Sequence, residues 1–278
     1  MYDPDDLELE SSFRCTYHAS RSEARWLMEI LGPLYMDWWI TDILRVVKAG
    51  KEATVYVCEA HPSRGLDLIA AKVYRPTAFR AMKNDAIYRE GREMLDDRGH
   101  VVSDRRLERA LQKQTRIGKA TQINSWIEHE FQNLTVLHDA GAQVPEPYLH
   151  TGNAVLMEYI GDRDFPAPVL QGVELERAEA ADILARLLND VELMLSCNRI
   201  HADLSAFNVL YWHGDVKIID LPQAVDARYN PSALSLLQRD LERLGSYFRR
   251  QGIELDATST ALDLWERFVA TDRGHAAW

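Results

Sequence analysis

Cysteine is scarce in this chain. Cys15, Cys58 and Cys197 are the only three among 278 residues, and they stand far apart. An odd, scattered set gives neither a disulfide framework nor zinc-ligand spacing, so reduced thiols and a cytoplasmic location are expected. Long apolar runs are missing too. None approaches the roughly 20 residues needed to span a bilayer. The N-terminal MYDPDDLELE is acidic where a signal peptide would be basic and then apolar. No membrane is therefore expected. Basic charge is in the minority, and a formal net charge of -11 argues against a broad nucleic-acid surface. There is no internal repeat and no low-complexity tract. What remains is a chain with 46% hydrophobic and 27% charged residues, as in an ordinary globular protein, and long enough for one large domain or two lobes.

The pattern along the chain divides it. Residues 1–40 are acidic and then aromatic, and read as an N-terminal extension with one short helix around 21–31. ILRVV, TVYVCEA and LIAAKVY between 43 and 75 are β-rich runs separated by the turn signals AGKE and HPSRGLD, which predicts three consecutive antiparallel strands. Residues 76–124 are densely charged and weakly periodic, and read as solvated helix and mobile loop. A clearer helix is predicted over 125–140, capped by Ser125, with Ile127, Phe131, Leu134 and Leu137 on one stripe and Gly141 ending it. VPEP breaks the chain before a strand at 154–160. The back half is helical: an amphipathic run over 174–198, a stripe of Leu234, Leu237, Leu241, Leu244 and Phe248 closed by Gly252, and a last helix over about 258–270. The expected organisation is an extension at 1–40, a strand-rich lobe at 41–158 carrying the charged insert 76–124, and a helical lobe at 159–278. A cleft between lobes is the natural ligand site.

One stretch carries chemistry. Residues 201–226 read HADLSAFNVLYWHGDVKIIDLPQAVD and set Asp203, Asn208 and Asp220 beside strand-like runs. A hairpin of 209–212 and 216–219, turning at His213-Gly214-Asp215, would bring Asn208 and Asp220 together. Two oxygen ligands with phosphates and water suit Mg²⁺. Asp203 would stand next to that metal, placed to orient a hydroxyl or accept its proton. Phosphoryl transfer needs this division of labour. His201 is expected to be structural. Lys72 lies in an apolar strand, where an unpaired ammonium would be costly, so a phosphate and a carboxylate are its expected partners. Glu128 and Glu130 compete for the second role. Glu130 lies on the flank of the apolar stripe and Glu128 well round toward solvent, so Glu130 is the choice.

These residues carry a resemblance. HADLSAFNVL…KIIDLPQAVD is similar to the catalytic and metal-binding loops of the RIO family of atypical protein kinases, closer to its RIO1-like branch in a compact, bacterial-looking form. The fairly specific mark is ID-x-x-Q-x-V, from Ile219-Asp220 to Gln223 and Val225. AGKEATVYVCEA resembles the family's nucleotide loop, AAKVYRP its strand lysine, WIEHEFQNL its helix C, LMEYIG its hinge, and RDLERLGSYFRRQGI its C-terminal helix. The resemblance implies an α+β, bilobal protein-kinase-like fold: an antiparallel N-lobe sheet with helix C, and a reduced helical C-lobe lacking activation loop and peptide-docking helices. It implies catalysis by Asp203, Lys72 and Glu130, and metal held by Asn208 and Asp220. ATP would be bound by Gly50, Lys51, Glu52, Ala53, Val55, Lys72, Glu158 and Ile160. It further implies ATP with Mg²⁺, or Mn²⁺ in its place, transfer of the γ-phosphoryl to serine or threonine with the protein itself as acceptor, or ATP hydrolysis as a switch, and a ribosomal or other protein partner.

The chain departs from related patterns in three places. Lys48-Ala49 replaces the family's usual Ser-Thr, Ser205 stands where protein kinases carry a phosphate-binding lysine, and no A-P-E motif follows Asp220. Two other readings stay open. An aminoglycoside-type small-molecule phosphotransferase shares the trio but usually adds helices after 160. A nucleotide-binding pseudokinase scaffold would not need the intact trio.

Overall fold

The computed structural model describes residues 13–50, 53–75 and 116–275. These form two compact units. One takes in the described residues to Arg75, Arg116–Phe131 and Pro147–Pro166, and the other takes in Gln132–Glu146 and the chain from Ala167 onward.

The first unit is built on a six-stranded sheet. Its strands are β1 (Arg14–Cys15), β2 (Ile40–Ala49), β3 (Ala53–Ala60), β4 (Leu68–Tyr74), β5 (Pro147–Thr151) and β6 (Ala154–Glu158), in the order β1-β2-β3-β4-β6-β5. The three β-rich runs form β2, β3 and β4, consecutive and antiparallel. β5 and β1 are additional; Pro145 and Pro147 mask the strand pattern of PYLHT. Alternate residues of β3 and β4 point to opposite faces. Tyr56 and Cys58 go to one face with Ala71 and Val73, and pack under helix α1 (Arg21–Met36) through Leu27, Ile30, Leu31 and Leu34. α1 is longer than the predicted 21–31. Pro33 lies in its last turns, and Ser20 caps it by accepting from the Glu23 amide at 3.3 Å. The N-terminal stretch thus shares the sheet's core, with Phe13 buried in it. The other face carries Tyr74 and Val155 against Ile127 of helix α2 (Arg116–Asp139).

α2 starts at least nine residues before the predicted boundary. Ser125 is buried inside the helix and is not its cap. Part of the charged insert, 116–124, is therefore helix, while 76–115 lie outside the described residues. Gly141, with φ +89, ends α2, and the Ala142 amide returns to the Leu137 carbonyl at 3.0 Å.

The second unit is helical. α3 (Arg177–Ser196), α4 (Ala233–Arg250) and α5 (Ala257–His275) follow the predicted stripes, with Ile183, Leu187, Leu237, Leu241, Leu244 and Phe248 buried. Between α3 and α4 lie the short strands β7 (Arg199–Ile200), β8 (Val209–Trp212), β9 (Asp215–Ile218) and β10 (Val225–Asp226). β8 and β9 form the predicted hairpin in register Val209–Ile218 to Trp212–Asp215. Its two-residue turn puts His213 at φ 50 and Gly214 at φ 90, the left-handed pair that a tight hairpin requires. Among the described residues no helix is long and apolar enough to cross a membrane.

The packing of α1 yields a prediction. Leu31 is fully buried and Met36 is exposed. Leu31→Ala should cost about 2–5 kcal/mol, and Met36→Ala about 0.5 kcal/mol or less. Urea midpoints measure both; equal shifts would mean that α1 does not share the core of the sheet.

Candidate active site

In the first unit, the sheet register sets Lys72 opposite Val55 on one side and Val155 on the other. Its ammonium meets the Glu130 carboxylate at 2.5 Å, with side-chain exposures of 12% and 4%. It also lies 5.4 Å from the centre of the Tyr74 ring. An ammonium and a carboxylate taken out of water together need this pairing, and removing one partner strands the other. Glu128 is not turned to solvent. It is buried, and it pairs at 3.1 Å with His150 of β5. That strand, not seen in the sequence, is what covers Glu128. Gly50 begins the tight return into β3, its amide donating to the Ala53 carbonyl at 2.9 Å. A Cβ added there would meet that same oxygen at 3.0 Å. Ala53 and Val55 follow on β3. Lys51 and Glu52 lie outside the described residues. Glu158 closes β6 opposite Ile69, and Ile160 is half-buried just beyond.

In the second unit, the polar trio sits on the irregular chain around the β8–β9 hairpin. Asn208 is buried. Its amide nitrogen donates to the Asp203 carbonyl at 2.9 Å and to an Asp203 carboxylate oxygen at 3.4 Å. The amide is thereby oriented with its own oxygen left as an acceptor. The Ile219 amide donates to the Asn208 carbonyl at 2.9 Å, which ties the residue before Asp220 to Asn208. Asp220 is exposed at φ 70, a left-handed conformation that aspartate tolerates better than most residues. An amide oxygen and an exposed carboxylate are hard donors, the set that suits Mg²⁺.

His201 is buried. Its Nε2 lies 3.0 Å from the Ile219 carbonyl, and its Nδ1 accepts from the Asp203 amide at 3.3 Å. Burial pushes its pKa below the usual histidine value, so it serves as a neutral brace.

Three residues of α4 that carry no role in the sequence analysis complete this region. Asp240 of α4 is buried, and its two carboxylate oxygens accept from the Ala202 amide at 2.7 Å and the Leu204 amide at 3.0 Å. The backbone on both sides of Asp203 is thus fixed by one side chain. Arg239 adds a donor to the Ala202 carbonyl. Arg243, one turn on, pairs with the Asp203 carboxylate at 2.5 Å, both side chains being a little under half exposed. Asp240 had a signal in the sequence: it stands three residues after Leu237 and four before Leu244, on the apolar stripe. Arg243 had none. The Asp203 carboxylate opens on a pocket of about 620 Å³, lined also by Phe207, Asn208, Arg243 and Arg250.

A sheet backed by a long helix that supplies the partner of a strand lysine, together with a helical unit carrying an Asp–Asn loop and hairpin, defines a protein-kinase-like fold. The same fold is found in the Rio2 kinase from Chaetomium thermophilum, in its ADP/Mg²⁺–phosphoaspartate complex. The two share a TM-score of 0.55 and 18% identity over 83% of this chain and 65% of that one. The model of the RIO domain matches residues 54–261, and the chain belongs to the RIO family. Similar proteins include the serine/threonine-protein kinase RIO1 of Homo sapiens, 31% identical over 82% of this chain and 36% of the human one. RIO1 of Caenorhabditis elegans is 31% identical over 74% of this chain and 37% of that one. The RIO-type serine/threonine-protein kinase Rio1 of Haloferax volcanii is 33% identical over 82% of this chain and 69% of that one. The chain therefore spans little more than a third of the length of the human and nematode relatives.

The clamp gives a pH prediction. Burial raises the Asp240 pKa from 3.8 to about 7, against the opposing pull of the Ala202 amide and Arg239. The folded state then holds this proton more tightly than the unfolded chain. Its contribution to stability is full below about pH 4 and is lost as pH rises through about 7. Denaturant midpoints at pH 5 and pH 8 should fall more for the wild type than for Asp240→Asn, which cannot ionise. An equal fall in both would mean that Asp240 titrates as it does in the unfolded chain.

Proposed function

We propose that this chain is a RIO-type serine/threonine kinase or ATPase that uses ATP and a divalent metal, with residues 41–158 and 159–278 as its two lobes. The observation that carries the reading is the Asp203–Asn208 pair: a carboxylate on an irregular loop, gripped from behind by Asp240 and opening on a pocket. Irregular backbone held this firmly suits a group that must meet a reacting hydroxyl in one geometry. Asp203 orients that hydroxyl and takes its proton. Asn208 and Asp220 are the oxygen donors for Mg²⁺, and Lys72, held by Glu130, is the cation for ATP phosphates. Magnesium, when bound, would neutralise phosphate charge. Gly50, Lys51, Glu52, Ala53, Val55, Glu158 and Ile160 are the further nucleotide contacts of this reading. The names of the relatives support serine or threonine as acceptor, and in this reading the protein's own chain is among the acceptors. The Rio2 kinase complex, which contains ADP and Mg²⁺, supports the cofactors. The three free cysteines favour the cytoplasm.

Purified protein incubated with γ-labelled ATP and Mg²⁺ tests this. Label on the protein supports the kinase, and phosphate release alone the ATPase. Label only on an added aminoglycoside would replace both readings with a small-molecule phosphotransferase, and ATP binding without turnover with a scaffold. Asp203→Asn should lower turnover about 10²–10⁴-fold while ATP still binds; near-normal turnover in a folded variant would remove Asp203 from its role.

A second prediction separates metal charge from backbone conformation. Asp220→Asn tolerates the left-handed backbone but lacks the carboxylate charge, so it should shift the Mg²⁺ dependence of turnover to higher concentration. Asp220→Ala should lose metal-dependent turnover altogether. Wild-type Mg²⁺ curves for both would make Asp220 a loop residue.

A further inference from the structure

The face of α4 beside Asp203 carries more positive charge than the site described so far uses. Arg243, Ser246, Tyr247 and Arg250 line the same pocket as Asp203, together with Phe207, which is 58% exposed. Arg243 neutralises Asp203. Arg250 is exposed, lies over the Tyr247 ring with its guanidinium 5.5 Å from the ring centre, and meets no carboxylate among the described residues. The two arginines are seven positions apart, about 10 Å along the helix axis. Three residues of extended chain cover about the same distance.

We infer that this pocket takes an acidic stretch of polypeptide as the phosphoryl acceptor, with a serine hydroxyl at Asp203 and a carboxylate three residues away on Arg250. This rests on the reading of the chain as a kinase. A second carboxylate, next to the serine, competes for Arg243 and frees Asp203 from its ion pair. Arg243 thereby couples arrival of the right acceptor to release of the proton acceptor. In the transfer, the serine oxygen forms a bond to the γ-phosphorus of ATP, and the bond from that phosphorus to the bridging oxygen breaks. ADP leaves, and the hydroxyl proton passes to the Asp203 carboxylate. Guanidinium groups suit this task because their planar donors match carboxylate geometry.

The chain's own N-terminus supplies such a segment. Residues 1–12 lie outside the described ones, but their sequence contains Glu8-Leu9-Glu10-Ser11-Ser12 behind Asp3, Asp5 and Asp6. Glu8 is three residues before Ser11, and Glu10 is adjacent to it. The occupant we commit to is this segment, presented by a second copy of the chain.

A fluorescent peptide of residues 3–12, DPDDLELESS, titrated into the full chain reads binding, and the same peptide with γ-labelled ATP and Mg²⁺ reads transfer. Binding should weaken about tenfold on Arg250→Gln, the size of one charge-assisted contact, and about as much when Glu8 of the peptide becomes Gln. Salt should weaken it further. Arg250→Glu should bind the Glu8→Lys peptide better than the natural one, a reversal that a structural role for Arg250 would not produce. Label should appear on Ser11. Equal binding of acidic and neutralised peptides, or indifference to Arg250→Gln, would overturn the inference even if the protein labels itself elsewhere. Arg250-dependent binding with no transfer to any acceptor would overturn the kinase reading and leave a site for acidic polypeptide.

Discussion

The second unit depends on a carboxylate that never reaches the pocket. Asp240 accepts the backbone amides of Ala202 and Leu204, and so fixes the one residue between them, Asp203. That stretch has no ladder of its own to hold it. Ala202 even sits at φ 65, in left-handed space, which costs a non-glycine residue about 1 kcal/mol or more. A loop in this state holds its shape only if its surroundings impose it. The amides are satisfied by a side chain from α4, the flanking carbonyl is met by Arg239, and His201 braces the loop against Ile219. Burying an ionisable group in this way has a cost, seen in its raised pKa. The return is a fixed backbone on both sides of Asp203.

The first unit solves a related problem in a different way. Lys72 cannot be left alone in an apolar strand, and Glu130 meets it across a gap of 58 residues in the chain. The sheet sets the lysine, and α2 sets the glutamate. Neither element alone specifies the pair. Glu128, two residues earlier, is also buried but turned to His150, so one helix places two carboxylates on two separate partners, an imidazole and an ammonium. A helix that satisfies both has little freedom to rotate, because turning it toward one partner withdraws it from the other.

What the sequence made legible follows from where each signal resides. Strands β2 to β4, the hairpin and the helices α3 and α4 all announce themselves by local periodicity and turn chemistry, and Asp203, Asn208 and Asp220 by their spacing. Signals that depend on a distant element were lost. The start of α2 is hidden in the sequence because RIGKATQIN has a glycine and two basic residues in place of an apolar stripe, and Ser125 resembles a cap until its burial is known. Glu128 looks solvated in the sequence because β5, the strand that carries its partner His150, is disguised by prolines. Arg243 has the look of any charged helix surface, and only the fold brings it to Asp203. Asp240 is different. An acid on an apolar stripe is a conflict that the chain must resolve with hydrogen bonds, and that conflict was readable.

The charge around Asp203 then follows a consistent logic. Two residues after Asp203 stands Ser205, where the family resemblance would set a lysine in other protein kinases; its hydroxyl accepts from the Phe207 amide at 3.3 Å and caps a short turn. The local positive charge is supplied instead from α4, by Arg243. A lysine on the loop would be fixed relative to Asp203 by the loop itself. An arginine on a neighbouring helix is fixed by nothing but its own long, half-exposed side chain, and an exposed ion pair of this kind is worth about 1 kcal/mol or less. It is strong enough to hold Asp203 when the pocket has no other anion to offer, and weak enough to give way to one. The firm part of the loop, held by Asp240, and the yielding part, held by Arg243, come from residues three apart on the same helix, one facing the core and one facing the pocket.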